Sequence, residues 1–370
     1  MGPSGTWVET TREEYFNGFV CPLWNDTLSS PVSSIRFSCS GVSPPAPFRR
    51  WVPSTSFSCR RLLDALPPNR TLFFLGDSMS AQHSRSAVCR LLQEAGAGAK
   101  LEHHAMRGSR FDHAVNPRIA HWQRKVPVCT RIGELIGARE GAALVTWRTV
   151  CWISCRANCA AFLFASMRRL RIVVPGDVVV VSEGVGLPDN ETLAVALELA
   201  RGYATAVNAT FRVNAALAAS APLHSRPRAD SPLDGVRIVW REQSPQAFAG
   251  SPDGAYRASP LAAARVYATK GKAKNSSGCG PLAQLARRPI LAQVLRVLGS
   301  AGVPILPTHE AAISQWDVHL ESRTPWVRAK LDCTHYCEPS GVLEAWNDGL
   351  ACVLPAPPHD VGAVPPLQIV

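Results

Sequence analysis

The stretch Thr71-Leu72-Phe73-Phe74-Leu75-Gly76-Asp77-Ser78-Met79-Ser80 decides the fold. Its first five residues form a short apolar run closed by Gly-Asp-Ser, the pattern of a buried strand that ends in a turn. Ser80 to Leu92 then reads as a helix, with Ala87, Val88, Leu91 and Leu92 on its apolar face. Outward from this unit, Ala142–Val150 is a second strand candidate. The uninterrupted β-branched run Val178–Val181, after Asp177, is a third, of the kind covered on both faces. Asn190–Ala219 reads as a helix, Val236–Trp240 as a strand and Leu282–Leu298 as a helix stopped at Gly302. Val303–Leu306 follows as a strand and Val342–Val353 as a closing helix. Strands alternating with helices predict an α/β fold with a central parallel sheet between helical layers. Sites in such sheets gather at the carboxyl ends of the strands, where Gly76-Asp77-Ser78 stands.

The chain divides by composition. Residues 1–60, rich in Pro, Ser, Cys and Trp, read as an irregular cysteine-rich lobe pinned by disulfides and packed on the main domain. Residues 61–354 carry the α/β pattern, and 355–370 form a Pro-rich tail. Pro222–Leu233 and Ser251–Ser277 are long, polar and Gly/Pro-bearing, as surface loops bordering a cleft would be. No repeat is visible. With 370 residues, 46% of them hydrophobic, the chain can bury a large core.

No segment reaches the roughly 18 uninterrupted apolar residues of a membrane span, and the start, Met1 to Val8, has no apolar core of a signal peptide. Twelve cysteines and sequons at Asn25, Asn69, Asn190, Asn208 and Asn275 nevertheless favour an oxidising, glycosylating compartment. The expectation is a lumenal or secreted catalytic region whose anchor or signal lies outside this sequence. A cytosolic protein with many buried thiols is the alternative. The net charge of +11 favours a polyanionic partner, with acidic glycan ahead of nucleic acid. The basic clusters, Arg49-Arg50, Arg60-Arg61, Arg168-Arg169 and Lys270 to Lys274, have no interleaved aromatics, which argues against nucleic acid.

Chemistry concentrates in two segments. A serine hydroxyl is a poor nucleophile without a base. Ser78, at the start of a helix, would have its own N–H near the positive helix end, ready for a developing oxyanion. Gly-Asp-Ser alone is equally a turn and an N-cap. Asp332 and His335, three residues apart on a helical turn or tight loop, would face one side. The carboxylate could then orient the imidazole. A satisfied surface histidine beside an N-cap aspartate is the plainer possibility. Cys151, Cys155 and Cys159 recur every four residues without an adjacent His, which favours disulfides and one buried thiol over a metal site.

The motifs resemble those of the trichome birefringence-like proteins of plants and their PC-esterase relatives, and the likeness covers most of the chain. Gly5-Thr6-Trp7-Val8, Cys21, Cys39, Arg50-Trp51-Val52-Pro53 and Cys59 are similar to the family's N-terminal region. Phe74 to Met79 with Ser86 and Cys89-Arg90-Leu91-Leu92, then Trp240 to Phe248, look like its central blocks. Trp316-Asp317-Val318-His319 and Asp332-Cys333-Thr334-His335-Tyr336-Cys337, through Trp346-Asn347, look like its C-terminal block. The resemblance implies an SGNH/GDSL-hydrolase-like fold and polysaccharide O-acetyl transfer in the Golgi lumen. Ser78 would be the nucleophile and Asp332 and His335 its triad partners, with Gly76, Asp77 and Gly184 supporting the oxyanion site. It implies no bound cofactor and no metal, but an acetyl donor, with acetyl-CoA as its candidate source, and a cell-wall polysaccharide acceptor. Gln82, His83, Arg241 and Trp316 are candidate acceptor contacts. His83 as a packing residue, Arg241 as a strand-end ion pair and Trp316, Trp346 and Tyr336 as buried aromatics are the plainer possibilities. The chain departs from plant members at Ala81-Gln82-His83, where they carry Arg-Asn-Gln, and at Ser182 to Gly186, like a divergent, algal-type branch. An acetyl esterase with the same site, or a non-catalytic glycan-binding protein, are the rival functions.

Overall fold

The computed structural model describes residues 5–16, 21–24, 48–53, 59–105, 128–139, 142–154, 159–161, 163, 167, 172–182, 192–203, 235–244, 281–313, 315, 319–322, 330–336 and 338–354. In chain order the elements begin with strand β1 (Gly5–Glu9), helix α1 (Arg12–Phe16), β2 (Arg49–Pro53) and α2 (Leu62–Ala65). The decisive unit follows as β3 (Thr71–Gly76) and α3 (Ser78–Ala95), then β4 (Lys100–Ala105), β5 (Val128–Arg139), β6 (Ala142–Ser154) and β7 (Val178–Val181). Residues 192–203 are helical (α4). The chain continues through β8 (Arg237–Arg241), α5 (Pro281–Ser300), β9 (Ile305–Leu306), α6 (His309–Ile313), β10 (His319–Ser322), β11 (Lys330–Tyr336) and α7 (Val342–Val353).

Seven strands form one sheet in the order β4-β5-β6-β3-β7-β8-β9. β3 is parallel to both β6 and β7, and β8 and β9 extend the parallel part. β4 and β5 are antiparallel additions beyond β6, so the sheet is mixed where a parallel one is predicted. Neither added strand stands out in the sequence. β5 alternates apolar residues with Arg131, Glu134 and two glycines, the pattern of a strand half open to solvent. Among the parallel strands, the chain runs from β3 first to β6 on one side and then to β7 on the other. That reversal opens a crevice between the carboxyl ends of β3 and β7.

Side chains of β3 alternate between two cores, one on each face of the sheet. Phe73 and Leu75 join Val179, Val181, Ile238, Val195, Leu199, Val294 and Leu298 under α4 and α5. Leu72 and Phe74 join Leu62, Leu63, Ala87, Val88, Leu91 and Leu350 under α2, α3 and α7. Each fully covered Leu, Val or Phe contributes about 1.5–3 kcal/mol, and Leu72 to Leu75 of β3 are all buried. The first core also takes in Leu163 and Met167, both fully buried.

The N-terminal segment folds as a two-stranded ribbon. β1 pairs with β2, Trp7 meets Trp51 edge to face at 5.2 Å, and Trp7 Nε1 donates to Ala311 O at 2.8 Å. Its described disulfides reach across to the main domain, Cys21 to Cys89 on α3 and Cys59 to Cys352 on α7. Cys129 and Cys151 join β5 to β6, and Cys159 is also disulfide-bonded. Cys155 lies outside the described residues, as do Pro222–Leu233, Ser251–Ser277 and the tail from 355.

Cys59 and Cys352 are 293 residues apart, so their bond removes much freedom from the unfolded chain. The double variant Cys59→Ser, Cys352→Ser is expected to lose about 2–4 kcal/mol in urea denaturation, and dithiothreitol should lower the midpoint of the native protein further. Equal midpoints for variant and native protein would show that the ribbon does not depend on this bond.

Candidate active site

The chain passes from β3 into α3 through a single glycine turn. Gly76 has φ +156°, a conformation side chains rarely adopt. A Cβ there would lie 2.5 Å from the Ser182 carbonyl oxygen and still closer to Ser80 Oγ. The end of β7 presses on it from the side, with Ser182 N–H donating to Leu75 O at 2.9 Å. Asp77 then caps the helix. Its Oδ1 accepts from Met79 N–H at 3.0 Å, and its carbonyl accepts from Ser80 and Ala81 N–H. Trp152 Nε1 donates to the same carbonyl at 3.2 Å from neighbouring β6. Ser78 is therefore the first residue of α3, half-buried at the crevice. Its backbone N–H is one of the open donors of the helix start, with no partner among the described residues.

His335 reaches this serine from the far end of the chain: His335 Nε2 lies 2.6 Å from Ser78 Oγ. The Asp332–His335 segment is not the helical turn or tight loop predicted but part of β11, which pairs with β10. Between the pairs Glu321–Leu331 and His319–Tyr336, four residues of β11 (332–335) stand against one of β10 (320). This bulge frees the segment from strict strand alternation, a common device for re-aiming a side chain beside a site. Asp332 is described in its backbone alone.

Behind the serine sits a buried cation. Arg241, at the end of β8, donates from Nη1 to Met79 O at 3.1 Å. Its Nη2 donates to Ser182 Oγ at 2.8 Å and Ser80 Oγ at 3.3 Å, and its guanidinium lies 5.2 Å from the Trp346 ring. Burial pulls its pKa down to about 10, opposed by the charge of Asp77, so it stays cationic at neutral pH. The guanidinium is therefore committed to the turn and not presented to an acceptor as predicted; nor is it the strand-end ion pair of the plainer reading. His83 is also buried, edge to face with Phe74 at 4.7 Å and Trp346 at 5.5 Å. Burial and Arg241 push its pKa well down, against a weaker pull from Asn347, and it is a neutral packing residue rather than an acceptor contact. Tyr336 and Trp346 lie in the same interior. The Tyr336 hydroxyl meets Ser244 Oγ at 2.8 Å, and burial raises its pKa.

Gln82 is the third correction. Its Nε2 donates to Tyr336 O at 2.6 Å and Glu338 Oε1 at 3.4 Å, and its Oε1 accepts from Tyr336 N–H at 3.2 Å. The amide is consumed inside the fold. One sequence signal could have found it, since Gln82 lies four residues after Ser78 and so shares its helix face. Ser182, Glu338 and Asn347 carry no such signal; only the fold brings them here. Gly184 and Trp316 lie outside the described residues. Among the described residues, no three His, Cys, Asp or Glu side chains are grouped as metal ligands would be, and no helix is long and apolar enough to cross a membrane.

No protein-family model matches the chain, and no curated protein matches it.

Two expectations follow from the buried charges. Arg241→Met should destabilise the fold, because Met79 O and the Ser80 and Ser182 hydroxyls lose their donor at about 1–3 kcal/mol for each group left unpaired. Arg241→Lys, which lacks the planar fork, should fall between. Urea denaturation decides, and an Arg241→Met protein as stable as the parent would show the guanidinium to be dispensable. Glu344 in α7 is the second case. Its carboxylate oxygens are sealed although the residue is only partly covered, and its pKa is raised to about 7 by burial and then by Glu338. The folded state thus holds a proton that the unfolded chain releases near the ordinary carboxyl value of 4.5. Stability should decline as pH rises from about 4.5 to 7, by something of the order of 3 kcal/mol. Glu344→Gln is expected to be more stable than the parent at pH 8 and little different at pH 4.5, measured by denaturation at both values. A pH-independent difference would contradict the assignment.

Proposed function

We propose that the protein is a serine acyltransferase that moves an acetyl group to a hydroxyl of a polysaccharide by double displacement. The observation carrying this is the 2.6 Å approach of His335 Nε2 to Ser78 Oγ at a helix N-terminus, beside the crevice where the sheet reverses its winding. In the His335 tautomer protonated at Nδ1, Nε2 accepts the Ser78 hydroxyl proton as Oγ attacks the acetyl carbonyl. The Ser78 N–H faces the developing oxyanion. Collapse expels the donor's leaving group, which takes the proton back from His335, and leaves acetyl-Ser78. An acceptor sugar hydroxyl then gives its proton to Nε2 and attacks the same carbonyl, and the protonated imidazole returns the proton to Ser78 Oγ. Asp332, three residues before the base, is assigned to orient the imidazole and stabilise its charged form.

Kinship with the trichome birefringence-like and PC-esterase proteins, and an SGNH/GDSL-hydrolase-like fold, belong to the same proposal. The ordered motifs support it, as does a nucleophile set directly after the first parallel strand. Disulfides and sequons support a site of action in the Golgi lumen or secretory pathway. The net charge of +11 supports an acidic acceptor glycan. The donor is expected to be acetyl-CoA-derived, and no bound cofactor enters these steps.

The test is intact-mass analysis of the secreted, glycan-trimmed protein after brief exposure to an activated acetyl ester. The expected result is a single acetyl adduct on Ser78, absent in Ser78→Ala and discharged faster by pectin or xylan oligomers than by buffer. His335→Ala should slow adduct formation by about 10²–10⁴. Discharge by water alone would make the protein an esterase. No adduct on folded protein would favour the non-catalytic glycan-binding role.

A further inference from the structure

We infer that Gln82 is a positioning residue that sets the distance between base and nucleophile, an inference resting on the acyl-transfer role proposed for Ser78 and His335. Among the described residues, β10 and β11 form a two-stranded sheet, and the edge of β11 away from β10 pairs with no described strand. Backbone groups on such an edge need partners once buried. At Tyr336, the residue after His335, Gln82 supplies both. Its side-chain amide accepts from the Tyr336 N–H and donates to the Tyr336 carbonyl, as a neighbouring strand would.

The clasp and the nucleophile share one face of one helix. Ser78, Gln82, Arg85 and Ser86 follow each other at helical spacing along α3. They meet, in the same order, His335, Tyr336, Glu338 and Asn347 on the opposing chain. The contacts are 2.6 Å for Ser78 to His335, 2.6 and 3.2 Å for Gln82 to Tyr336, 3.4 Å for Arg85 to Glu338 and 2.8 Å for Ser86 to Asn347. Of these, Gln82 alone grips the backbone next to the base. The bulge across 332–335 relaxes the pairing with β10 just before His335, so the register of the imidazole depends on what holds Tyr336. Glutamine suits the task because its amide both donates and accepts. Asparagine is one methylene short, methionine does neither, and glutamate cannot donate while ionised.

The experiment measures the rate of covalent labelling of Ser78 by a fluorophosphonate, per folded molecule, from pH 5 to 8. Wild type, Ser78→Ala, Gln82→Met and Gln82→Glu are compared, and folded protein is quantified by near-UV circular dichroism. Gln82→Met is expected to label about 10²-fold more slowly than wild type, the loss that follows from roughly 1 Å of misplacement. In Gln82→Glu the new carboxylate would face the Tyr336 carbonyl and Glu338, and it can donate only when protonated. Its rate relative to wild type should therefore rise as pH falls, which a purely structural role would not produce. Folded Gln82→Met labelling at the wild-type rate overturns the inference. If that variant does not fold, a Gln82→Glu ratio near one and flat across pH overturns it instead. Folded wild type that takes no label at Ser78 overturns the acyl-transfer role, and the clasp with it.

Discussion

The close approach of β7 to the Gly76 backbone is the constraint on which the site depends. With Ser182 O and Ser80 Oγ crowding the position where a Cβ would stand, the chain has one way out of β3 and must begin α3 at once. The consequence is geometric. Asp77 becomes the cap, Ser78 the first helical residue, and its N–H one of the few backbone donors left open. A turn one residue longer would move the hydroxyl away from the helix end and from the crevice together. Arg241 holds the same turn from beneath, tying the ends of β7 and β8 to the first turn of α3. Its burial is costly, as the depressed pKa records, and the cation–π contact with Trp346 and the nearby Asp77 charge offset part of that cost.

α3 then acts as a spine shared by Ser78 and the segment that carries His335. The same face that begins with Ser78 continues into residues that hold the strand bearing His335 and the helix after it. Ser78 and His335 are 257 residues apart in sequence, yet a single rigid element sets their separation. On the proposed acyl-transfer reading, rigid support of this kind matters because a single Ser–His hydrogen bond contributes little on its own. Its usefulness lies in being held at reacting distance before any substrate arrives.

The sequence made the parallel core legible because its signals are local. The apolar run before Gly76, the four valines of β7 and the pattern of α7 each identify an element without reference to partners. β4 and β5 escaped because one-sided strands carrying Arg131, Glu134 and glycines look like loop until β6 is placed beside them. The setting of Ser78 was legible for the same local reason, a strand, a glycine turn and a helix start. The geometry of Asp332 and His335 was not, since three-residue spacing suggests one face only on a helix, and the segment is a bulged strand whose form depends on its pairing with β10. Arg241, Gln82 and His83 are candidate acceptor contacts in the sequence because they lie near Ser78 or in the motif blocks, with packing the plainer expectation for His83 and an ion pair for Arg241. The inward position of Gln82 agrees with its helical spacing from Ser78, whereas the burial of Arg241 follows from tertiary packing that no spacing rule encodes.

The N-terminal ribbon closes the argument about how such a site is kept together. Its carbonyl at Arg49 packs against Gly341, which starts α7 at φ +81°, and Trp7 lies against the same glycine. Gly341 follows the segment that carries Glu338, itself bonded to Gln82 and paired with Arg85. The ribbon thus packs on the connection between the strand bearing His335 and α7. Disulfides anchor it at both helices, Cys21 to α3 and Cys59 to α7. A connection held only by α3 could swing away with its strand. Held by α3 through Glu338 and by the ribbon at Gly341, with the N-terminal segment covalently fixed to α3 and α7, it keeps β11 against the helix that carries Ser78.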